Sequence, residues 1–319
     1  MTSDRAGADA TLAPAPAAVP SAGESRAAAW PGTSGGGTAA PLSATEEMTG
    51  KAAAENFPVA MRLLPRRYGE YLMAVYSFAR TVDDAGDEAP PGERLRLLDG
   101  LDEDLTRLYA TPADQPRDRA VAGLARAVSD CGIPAQPFRD LIAANRQDQF
   151  VTRYETFDEL LGYCKLSANP VGRIVLQVFC CSTPARAGLS DSICSGLQVV
   201  EHLQDVAEDY RAGRIYLPAQ DMRAHGVSEQ DLSGQSASPQ LRGLVEAEAA
   251  RAAGLLDSGA PLIGQLRGWA RLAVAGYLAG GRAALGALAA ARYDVLTVTP
   301  RPGKGRTMRE LISALVRGR

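Results

Sequence analysis

The sequence predicts an all-α fold, and three observations support this. Apolar residues recur at the three- and four-residue spacing of helices along most of the chain from Lys51 onward. No segment shows the sustained apolar and polar alternation, bounded by hairpin turns, that half-buried strands require. Hydrophobic residues make up 46% of the 319 residues, which is enough for a sizeable core. We therefore expect helices packed on helices around a shared apolar interior.

The first 49 residues differ in composition from the rest. They are rich in Ala, Pro, Gly and Ser, as in TLAPAPAAVP and TSGGGTAAP. Such a segment buries too little apolar surface to fold, so residues 1–49 are predicted to be a disordered tail. They lack the basic start and continuous apolar run of a secretory signal. One folded domain is expected over residues 50–319.

Helices and breaks are predicted next, in chain order. Pro65 ends a first short helix, a second covers residues 67–82, and Pro90-Pro91-Gly92 forms a loop. A further helix follows, whose leucines recur at positions 95, 98, 101, 105 and 108. Prolines at 112, 116, 134 and 137 separate later helices, and Asn169-Pro170 breaks the chain between helical segments 157–165 and 171–181.

A long apolar helix is predicted over residues 269–293. Arg271 and Arg282 interrupt it, whereas a membrane span needs about 20 predominantly apolar residues, so we do not expect it to cross a membrane. Glycines at 276, 280 and 281 predict close helix packing or a kink. The segment RPGK at 301–304 adds Arg301 and Lys304 to the basic residues near the C-terminus.

Composition excludes several kinds of function. The formal net charge of −3, the 6% aromatic content and the lack of a basic run argue against nucleic-acid binding. The five cysteines are odd in number and form no CxxC pair, which indicates reduced thiols in a cytoplasmic protein. Two histidines are too few for a His-rich zinc site, and we expect His202 to be a packing or hydrogen-bonding residue.

The most informative stretch is 196–218, GLQVVEHLQDVAEDYRAGRIYLP. Its apolar residues recur at helical spacing, while Glu201, Asp205 and Asp209 stand four residues apart with Glu208 beside them. Like charges at this spacing repel, and such a ridge is most often only a solvated acidic face. Here the acids interleave with large apolar residues and precede two arginines. A cation between the acids, and an anion beyond them, is therefore expected.

A second acidic cluster lies in YSFARTVDDAGDE, residues 76–88. Asp83 and Asp87 are one helical turn apart and share a face, and Asp84 adjoins them. Two facing groups of carboxylates supply the hard oxygen ligands that Mg²⁺ prefers, and Mg²⁺ completes its shell with water and substrate phosphates. Arg80, one turn earlier, would face the same phosphate.

These motifs resemble those of a known family. DDAGD (83–87) and QDVAED (204–209) resemble the two aspartate-rich motifs of the squalene/phytoene synthase family. FPVAMRLLP, YSFAR, YCKLSANPVGR and GRIYLP occur in family order, from about Asn56 to the C-terminus. The segments ENFPVA, YCKLSANPVG and VVEHLQDVAED are most similar to bacterial members that convert presqualene diphosphate to hydroxysqualene for hopanoids. The resemblance implies an isoprenoid synthase helical bundle with a central apolar cavity.

The resemblance also implies roles for individual residues. Two or three Mg²⁺ ions would be bound by Asp83, Asp87, Glu201, Asp205 and Asp209. The catalytic side chains near the reacting carbons would be Tyr76, Tyr163 and Asn169. The substrate or its diphosphate would contact Arg80, Gln198, Gln204, Arg214, Tyr293 and Lys304.

Three positions depart from the family pattern. Glu201 replaces an Asn that is usual in relatives, and Gln204 replaces an Arg, so that one positive charge toward the diphosphate is missing. Asn169 stands where relatives have Gly. Its amide would either hold a water molecule or cap the following helix, and the sequence does not decide between the two.

The expected activity is therefore Mg²⁺-dependent ionisation of presqualene diphosphate, rearrangement of the cation and capture of water, without NADPH. One alternative is head-to-head condensation of two farnesyl diphosphates to presqualene diphosphate, squalene or dehydrosqualene. Another is a non-catalytic homologue that binds isoprenoid diphosphates or scaffolds other enzymes. A cytoplasmic location is expected. Peripheral contact with the inner membrane face and handover from a presqualene diphosphate synthase remain open, as does the oligomeric state.

Overall fold

The computed structural model describes residues 64–110 and 115–318 of the chain, all within one unit spanning residues 43–319. In these two ranges the regular structure is helical, apart from one isolated parallel bridge between Arg153 and Ile215. The predicted all-α class is confirmed. The tail at 1–49 and the short helix expected before Pro65 lie outside the described residues.

The helices of the described chain are numbered in order. They are α1 (Arg66–Asp83), α2 (Arg94–Ala110), α3 (Arg119–Gly123), α4 (Ala125–Cys131), α5 (Gln136–Gln147), α6 (Phe157–Ser167), α7 (Asn169–Val178), α8 (Pro184–Gln204), α9 (Val206–Arg211), α10 (Ala219–Ala224), α11 (Pro239–Gly259), α12 (Leu262–Gln265), α13 (Gly268–Ala290) and α14 (Lys304–Arg317). A π-helical turn (Asp84–Glu88) continues α1, and a 3₁₀ turn (Glu229–Ser233) precedes α11. The expected break at Asn169-Pro170 is confirmed between α6 and α7.

Side-chain caps begin several of these helices. The hydroxyl of Thr156 accepts from the backbone N–H of Glu159 at the start of α6, and Ser238 accepts from Leu241 at the start of α11. The Thr183 side chain likewise accepts from the Arg186 N–H at the start of α8. Each cap satisfies one of the N–H groups that a helix start leaves without an intrahelical partner.

The pair α8 and α11 forms the centre of the bundle, and glycines set how closely helices approach it. A Cβ added at Gly259 of α11 would lie 2.5 Å from Ile193 Cγ1 of α8. A Cβ at Gly281 of α13 would lie 2.6 Å from Leu197 Cδ2 of α8. Both distances are far below van der Waals contact. The packing role predicted for Gly281 is thus confirmed, whereas Gly276 and Gly280 face open space.

Helix α13 is long and apolar enough to cross a membrane. Half of its most apolar stretch, however, is buried inside the bundle. Its two arginines are engaged with protein groups. The Arg271 guanidinium donates to the Leu315 carbonyl of α14 at 2.8 Å, and Arg282 pairs with Asp257 of α11 at 2.6 Å. These contacts are those of a core helix, as the sequence predicts.

The informative stretch 196–218 is not one continuous helix. Helix α8 ends at Gln204, the backbone of Asp205 leaves helical geometry (φ −105°, ψ 13°), and α9 ends at Arg211. Gly213 has φ +84°, a left-handed conformation that glycine adopts without a Cβ penalty. The segment beyond it is extended and pairs with residues 152–154. This path places the end of the stretch beside the loop that follows α5.

An apolar cavity of about 100 Å³ lies between α7, α8 and α13. Its walls carry Val171 and Val175 from α7, Ile193 and Cys194 from α8, and Tyr277 from α13. Burial raises the pKa of the Cys194 thiol to about 12, so the thiol is protonated and behaves as an apolar wall group. The cavity is an apolar interior space of the kind that the resemblance implies.

Candidate active site

The first acidic cluster lies where α1 passes into the π-helical turn. Tyr76, Arg80 and Asp83 recur at four and three residues and so share one face of α1. The turn is held against the end of α5, because Gln149 Nε2 donates to the Gly86 carbonyl at 3.0 Å. The same end of α5 supplies Asn145, whose amide donates to Asp83 Oδ1 at 3.2 Å. Asp83 is thereby positioned by a residue 62 positions away.

Asp83 is accessible to water at its tip but closely surrounded by protein. Desolvation, together with repulsion from Asp87, raises the pKa of Asp83 to about 6, although the hydrogen bond from Asn145 acts in the opposite direction. A carboxylate in this situation is stabilised by any cation that approaches it.

Arg80 is engaged within its own segment. Its guanidinium lies 2.8 Å from Asp84 Oδ1 and 2.6 Å from Glu88 Oε1. The sequence analysis predicted that Arg80 faces the diphosphate. In the structure it neutralises two carboxylates of the π-helical turn instead, so contact with a diphosphate requires the side chain to leave them.

The second cluster keeps helical register through the break at Asp205. The Asp205 N–H donates to the Glu201 carbonyl at 3.0 Å, and the Asp209 N–H donates to the Asp205 carbonyl at 2.8 Å. The three acids therefore remain one turn apart along the ridge. Desolvation and repulsion from Asp209 raise the pKa of Asp205 to about 6, while nearby Arg301 counters this rise.

Arg214 joins the two clusters. Its guanidinium pairs with Asp87, at 2.6 Å from Nη1 to Oδ1 and 3.4 Å from Nη2 to Oδ2. Its backbone N–H donates to the Asp209 carbonyl at 2.8 Å. The buried Nε has no hydrogen-bond partner in the described structure. Arg214 thus supplies a positive charge next to Asp87 and retains a donor for an anion.

Beneath the charged groups lies an aromatic group made of Tyr154, Tyr163, Tyr216 and His202. The His202 ring stacks on Tyr216 with centroids 3.7 Å apart and an interplanar angle of 14°. The three tyrosine rings lie 5.6–5.8 Å from one another. Tyr163 is buried, as its predicted place near the reacting carbons requires. Negative ring faces collected in this way stabilise a nearby cation.

His202 links the aromatic group to the second cluster. Its Nε2 lies 3.3 Å from Gln198 Nε2, and its Nδ1 lies 3.9 Å from Asp209 Oδ2. Burial lowers the pKa of His202, so the ring is neutral near pH 7. The expected packing and hydrogen-bonding role of His202 is confirmed. Gln198 is held by this ring at the edge of the site.

Asp148 belongs to the site, although the sequence analysis did not find it. Its Oδ2 accepts the Tyr163 hydroxyl at 2.8 Å, and its buried Oδ1 has no hydrogen-bond partner in the described structure. Desolvation raises the pKa of Asp148 to about 6, with Arg214 acting against the rise and Asp87 adding to it. An acid that follows the end of a helix, in RQDQF, carries no periodic signal that would single it out.

Asn169 is buried, and its Oδ1 accepts from the Ser195 hydroxyl of α8 at 2.9 Å. It is the first residue of α7 and makes no side-chain capping bond to that helix. The capping alternative for Asn169 is therefore wrong. The Asn169–Ser195 bond joins the start of α7 to α8 inside the protein.

Three further residues, Gln204, Tyr293 and Lys304, are predicted to contact the substrate or its diphosphate, and the structure shows which protein groups surround them. Gln204 Nε2 donates to the Pro300 carbonyl, which anchors the segment before α14 to the second cluster. Tyr293 has a left-handed backbone (φ 57°), and its charged neighbour is Glu246 of α11 rather than either acidic cluster. Lys304 is exposed at the first position of α14.

The donor chemistry of the site fits Mg²⁺, but the carboxylates are not gathered around one point. No group of three His, Cys, Asp or Glu side chains in the described ranges is close enough to hold a metal ion. Asp87 is instead neutralised by Arg214. The raised pKa values of Asp83 and Asp205, and the unpartnered Oδ1 of Asp148, show oxygen ligands whose charge is incompletely compensated. These residues would accept a divalent cation once Arg214 turns toward a diphosphate.

Comparison with known proteins identifies relatives of this chain. The squalene/phytoene synthase family profile matches residues 51–306. A hydroxysqualene synthase of Rhodopseudomonas palustris is 39% identical over 229 residues, which are 70% of this chain and 76% of that protein. A hydroxysqualene synthase of Sinorhizobium fredii is 36% identical over 67% of this chain and 72% of its own length. The crystal structure of squalene synthase HpnC from Alicyclobacillus acidocaldarius superposes with a TM-score of 0.71 at 37% identity, covering 77% of this chain and 92% of that one.

Proposed function

This chain belongs to the squalene/phytoene synthase family, and we propose that its reaction there is the conversion of presqualene diphosphate to hydroxysqualene. It is an isoprenoid synthase of squalene and hydroxysqualene biosynthesis. The observation that carries the choice of product is the buried hydrogen bond between Asn169 and Ser195, because buried polar groups are what retains a water molecule in an otherwise apolar interior. The hydroxysqualene synthases among its relatives support the same choice.

The diphosphate binds between the two acidic clusters, where Arg214 provides the anchor. Its Nε is already a donor without a protein acceptor, and its guanidinium exchanges Asp87 for phosphate oxygens when substrate arrives. Two or three Mg²⁺ ions, when bound, supply positive charge that stabilises the departing diphosphate. Asp83, Asp87, Glu201, Asp205 and Asp209 hold them. Asp148 Oδ1, which has no hydrogen-bond partner in the described structure, would accept a hydrogen bond from water or from the substrate.

The aromatic group then stabilises the positive charge left on carbon. Loss of diphosphate breaks the C–O bond and leaves a cyclopropylcarbinyl cation, which rearranges to the linear skeleton. Tyr163 is kept protonated, since burial and the neighbouring Asp148 raise the pKa of its phenol. A neutral ring next to the cation offers its electron-rich face without forming a covalent bond. The apolar cavity between α7, α8 and α13, at about 100 Å³, holds only a short part of the isoprenoid chain, so binding the whole chain requires these helices to move apart.

Water captures the cation at the Asn169–Ser195 pair. The Asn169 amide has both acceptor and donor capacity, and its Oδ1 is oriented by Ser195 Oγ at 2.9 Å. The oxygen of the water forms the new C–O bond, and the proton that it releases passes to the freed diphosphate. No hydride donor takes part, so NADPH is not required.

Head-to-head condensation of farnesyl diphosphate is the second candidate, because the similar HpnC structure is described as a squalene synthase. Gln204 weighs against it in this chain. The amide of Gln204 is neutral and bound to the Pro300 carbonyl, so it adds no positive charge for a second diphosphate. We further propose that the enzyme works in the cytoplasm, which the free state of its five cysteines supports, and that it receives presqualene diphosphate from the synthase that makes it.

Product analysis tests the proposal. The full-length protein is incubated with Mg²⁺ and either presqualene diphosphate or farnesyl diphosphate, with and without NADPH, and the extracts are analysed by mass spectrometry. Hydroxysqualene from presqualene diphosphate at an NADPH-independent rate is the expected result. Efficient formation of squalene, dehydrosqualene or presqualene diphosphate from farnesyl diphosphate would overturn it.

A further inference from the structure

Helix α14 presents an apolar face to solvent. Met308, Ile312 and Val316 recur every four residues and are 56%, 57% and 60% exposed. The adjoining side of the helix packs on α13 and α12 through Ala314, Leu311 and Leu315. The apolar face of α14 is therefore wider than the part that the bundle covers, and a large exposed apolar face commonly marks an interaction site.

Exposed apolar residues concentrate in this part of the described chain. Of the seven large hydrophobic side chains that are exposed, four lie between residues 298 and 316, namely Val298, Met308, Ile312 and Val316. A fifth, Trp269, lies at the start of α13. This part of α13 is next to the C-terminal end of α14, because Arg271 donates to the Leu315 carbonyl there. We define these five residues as the C-terminal apolar surface. Tryptophan is characteristic of the boundary between lipid and water.

Basic residues accompany the C-terminal apolar surface. The segment 301–317 contains five basic residues and one acidic residue, a formal charge of +4 in a chain whose net charge is −3. On the helical projection, Arg309 lies next to Val316 and Lys304 next to Met308, so that cations border the apolar stripe on both sides. The Arg309 side chain is 72% exposed. An apolar stripe bordered by exposed cations is typical of helices that lie in the headgroup region of a bilayer.

The C-terminal apolar surface is also connected to the active site. Pro300, whose carbonyl is bound by Gln204, lies three residues before Gly303 at the N-terminus of α14. Arg301 lies close enough to Asp205 to lower its pKa. The segment that leads into α14, and with it this end of the C-terminal apolar surface, therefore lies beside the second acidic cluster. An enzyme that exchanges long isoprenoid chains with a bilayer is best served by a docking surface at this place.

We propose that the C-terminal apolar surface docks the enzyme on an anionic lipid bilayer, with α14 lying in the plane of the headgroups. Charge complementarity selects this occupant: Glu310 is the one acid among five basic residues in segment 301–317, so the segment keeps a net positive charge that an anionic surface attracts and a second copy of the same segment repels. The binding does not depend on which isoprenoid product is made. A failure of the proposed reaction and a failure of docking are therefore separate results.

Vesicle sedimentation of the full-length protein without substrate tests the docking. Binding is expected to vesicles that contain phosphatidylglycerol, to weaken in high salt, and to be much lower on phosphatidylcholine alone. Ile312→Asp should lower binding about tenfold or more, since it removes one large apolar side chain from the interface. Leu95→Asp is the matched control, because it places the same charge at an exposed leucine of α2 and should not change binding.

Two further variants keep the outcome decisive. Arg309→Gln should reduce binding to anionic vesicles while leaving turnover of detergent-dispersed substrate unchanged. Val316→Ser should weaken binding without any change in charge, and both variants should unfold at the wild-type temperature because the two side chains are exposed. Wild-type protein that stays in the supernatant at every lipid composition would overturn the proposal. A wild-type dimer that Ile312→Asp converts to a monomer, with no vesicle binding, would overturn it in favour of a second copy.

Discussion

Gly86→Ala should damage the first acidic cluster through one defined clash. A Cβ at position 86 would lie 2.3 Å from Asn145 Oδ1 and 3.1 Å from its Cγ, more than 1 Å inside ordinary contact. Asn145 is buried and donates to Asp83 Oδ1 at 3.2 Å and to the Leu141 carbonyl at 3.3 Å. The amide cannot move aside without losing these bonds. Overpacking of this kind costs about 1–3 kcal/mol.

A double-mutant cycle with urea unfolding measures this coupling. Asn145→Ala removes the obstructing amide, so Gly86→Ala should cost at least about 1 kcal/mol less in that background than in the wild type. Gly92→Ala is the control. It faces open space without a left-handed backbone, and we expect it to be neutral or to stabilise by about 0.4–1 kcal/mol. Additive free energies in the cycle, or a Gly86→Ala protein as stable as wild type, would refute the reasoning.

Three other predictions follow from the site. Asp87→Ala and Asp205→Ala should both abolish diphosphate release, and wild-type rates at saturating Mg²⁺ would contradict this. Only Asp87→Ala should lower the melting temperature, because it leaves Arg214 without its ion pair, whereas Asp205→Ala relieves repulsion. Asn169→Ala should shift the products seen by mass spectrometry from the alcohol to eliminated hydrocarbons while diphosphate release changes less, and unchanged product would place the water elsewhere. Asp148 and Asp205 have folded-state pKa values of about 6, above the ordinary value of 3.8. Ionisation of these two carboxyls therefore favours the unfolded chain, so the free energy of unfolding in urea, measured without metal, should fall as pH rises from about 4 to about 7. A flat or rising profile over this window would contradict it.

Much of the fold was predictable because its signals are local. The leucines at every third and fourth position place α2 correctly, and Asn169-Pro170 marks the boundary between α6 and α7. The spacing of Asp83 and Asp87, and of Glu201, Asp205 and Asp209, likewise predicted acids that share a face. Such patterns report which side of one helix a residue occupies. They did not predict the π-helical turn from Asp84 to Glu88 or the break at Asp205, which alter the helix at both clusters.

The non-local half of the site could not be predicted in this way. Two extended segments run side by side, with the Ile215 N–H donating to the Thr152 carbonyl at 3.0 Å and the Ala219 N–H donating to the Tyr154 carbonyl at 2.9 Å. This pairing brings Asp148, Tyr154 and Tyr216 to the two motifs. Neither segment has a periodic pattern, since each is short and irregular. Only Tyr163 of the aromatic group was predicted as a site residue.

Arg80 has protein partners that the sequence analysis left out, although one of them was visible in the sequence. Arg80 and Asp84 are four residues apart on one helical segment, a spacing at which opposite charges pair. The sequence analysis assigned Arg80 to the substrate and left this local pairing out. Gln204 differs again, since its acceptor, the Pro300 carbonyl, is 96 residues away and has no signature. A polar side chain near a motif is therefore weak evidence of ligand contact until its protein partners are known.

Arg214 also explains how the chain tolerates two ridges of like charge in one place. Carboxylates four residues apart destabilise a helix, and at Asp205 repulsion from Asp209 adds to the desolvation that raises its pKa. A guanidinium keeps its charge at any physiological pH, and its ion pair with Asp87 raises the pKa of Arg214 further. One permanent cation thus offsets part of the repulsion in the folded chain and leaves the rest uncompensated. That remainder would favour the binding of divalent cations, and we propose that each bound cation would free Arg214 for the diphosphate. Metal and substrate should therefore favour each other's binding, through a residue that is at first the partner of neither.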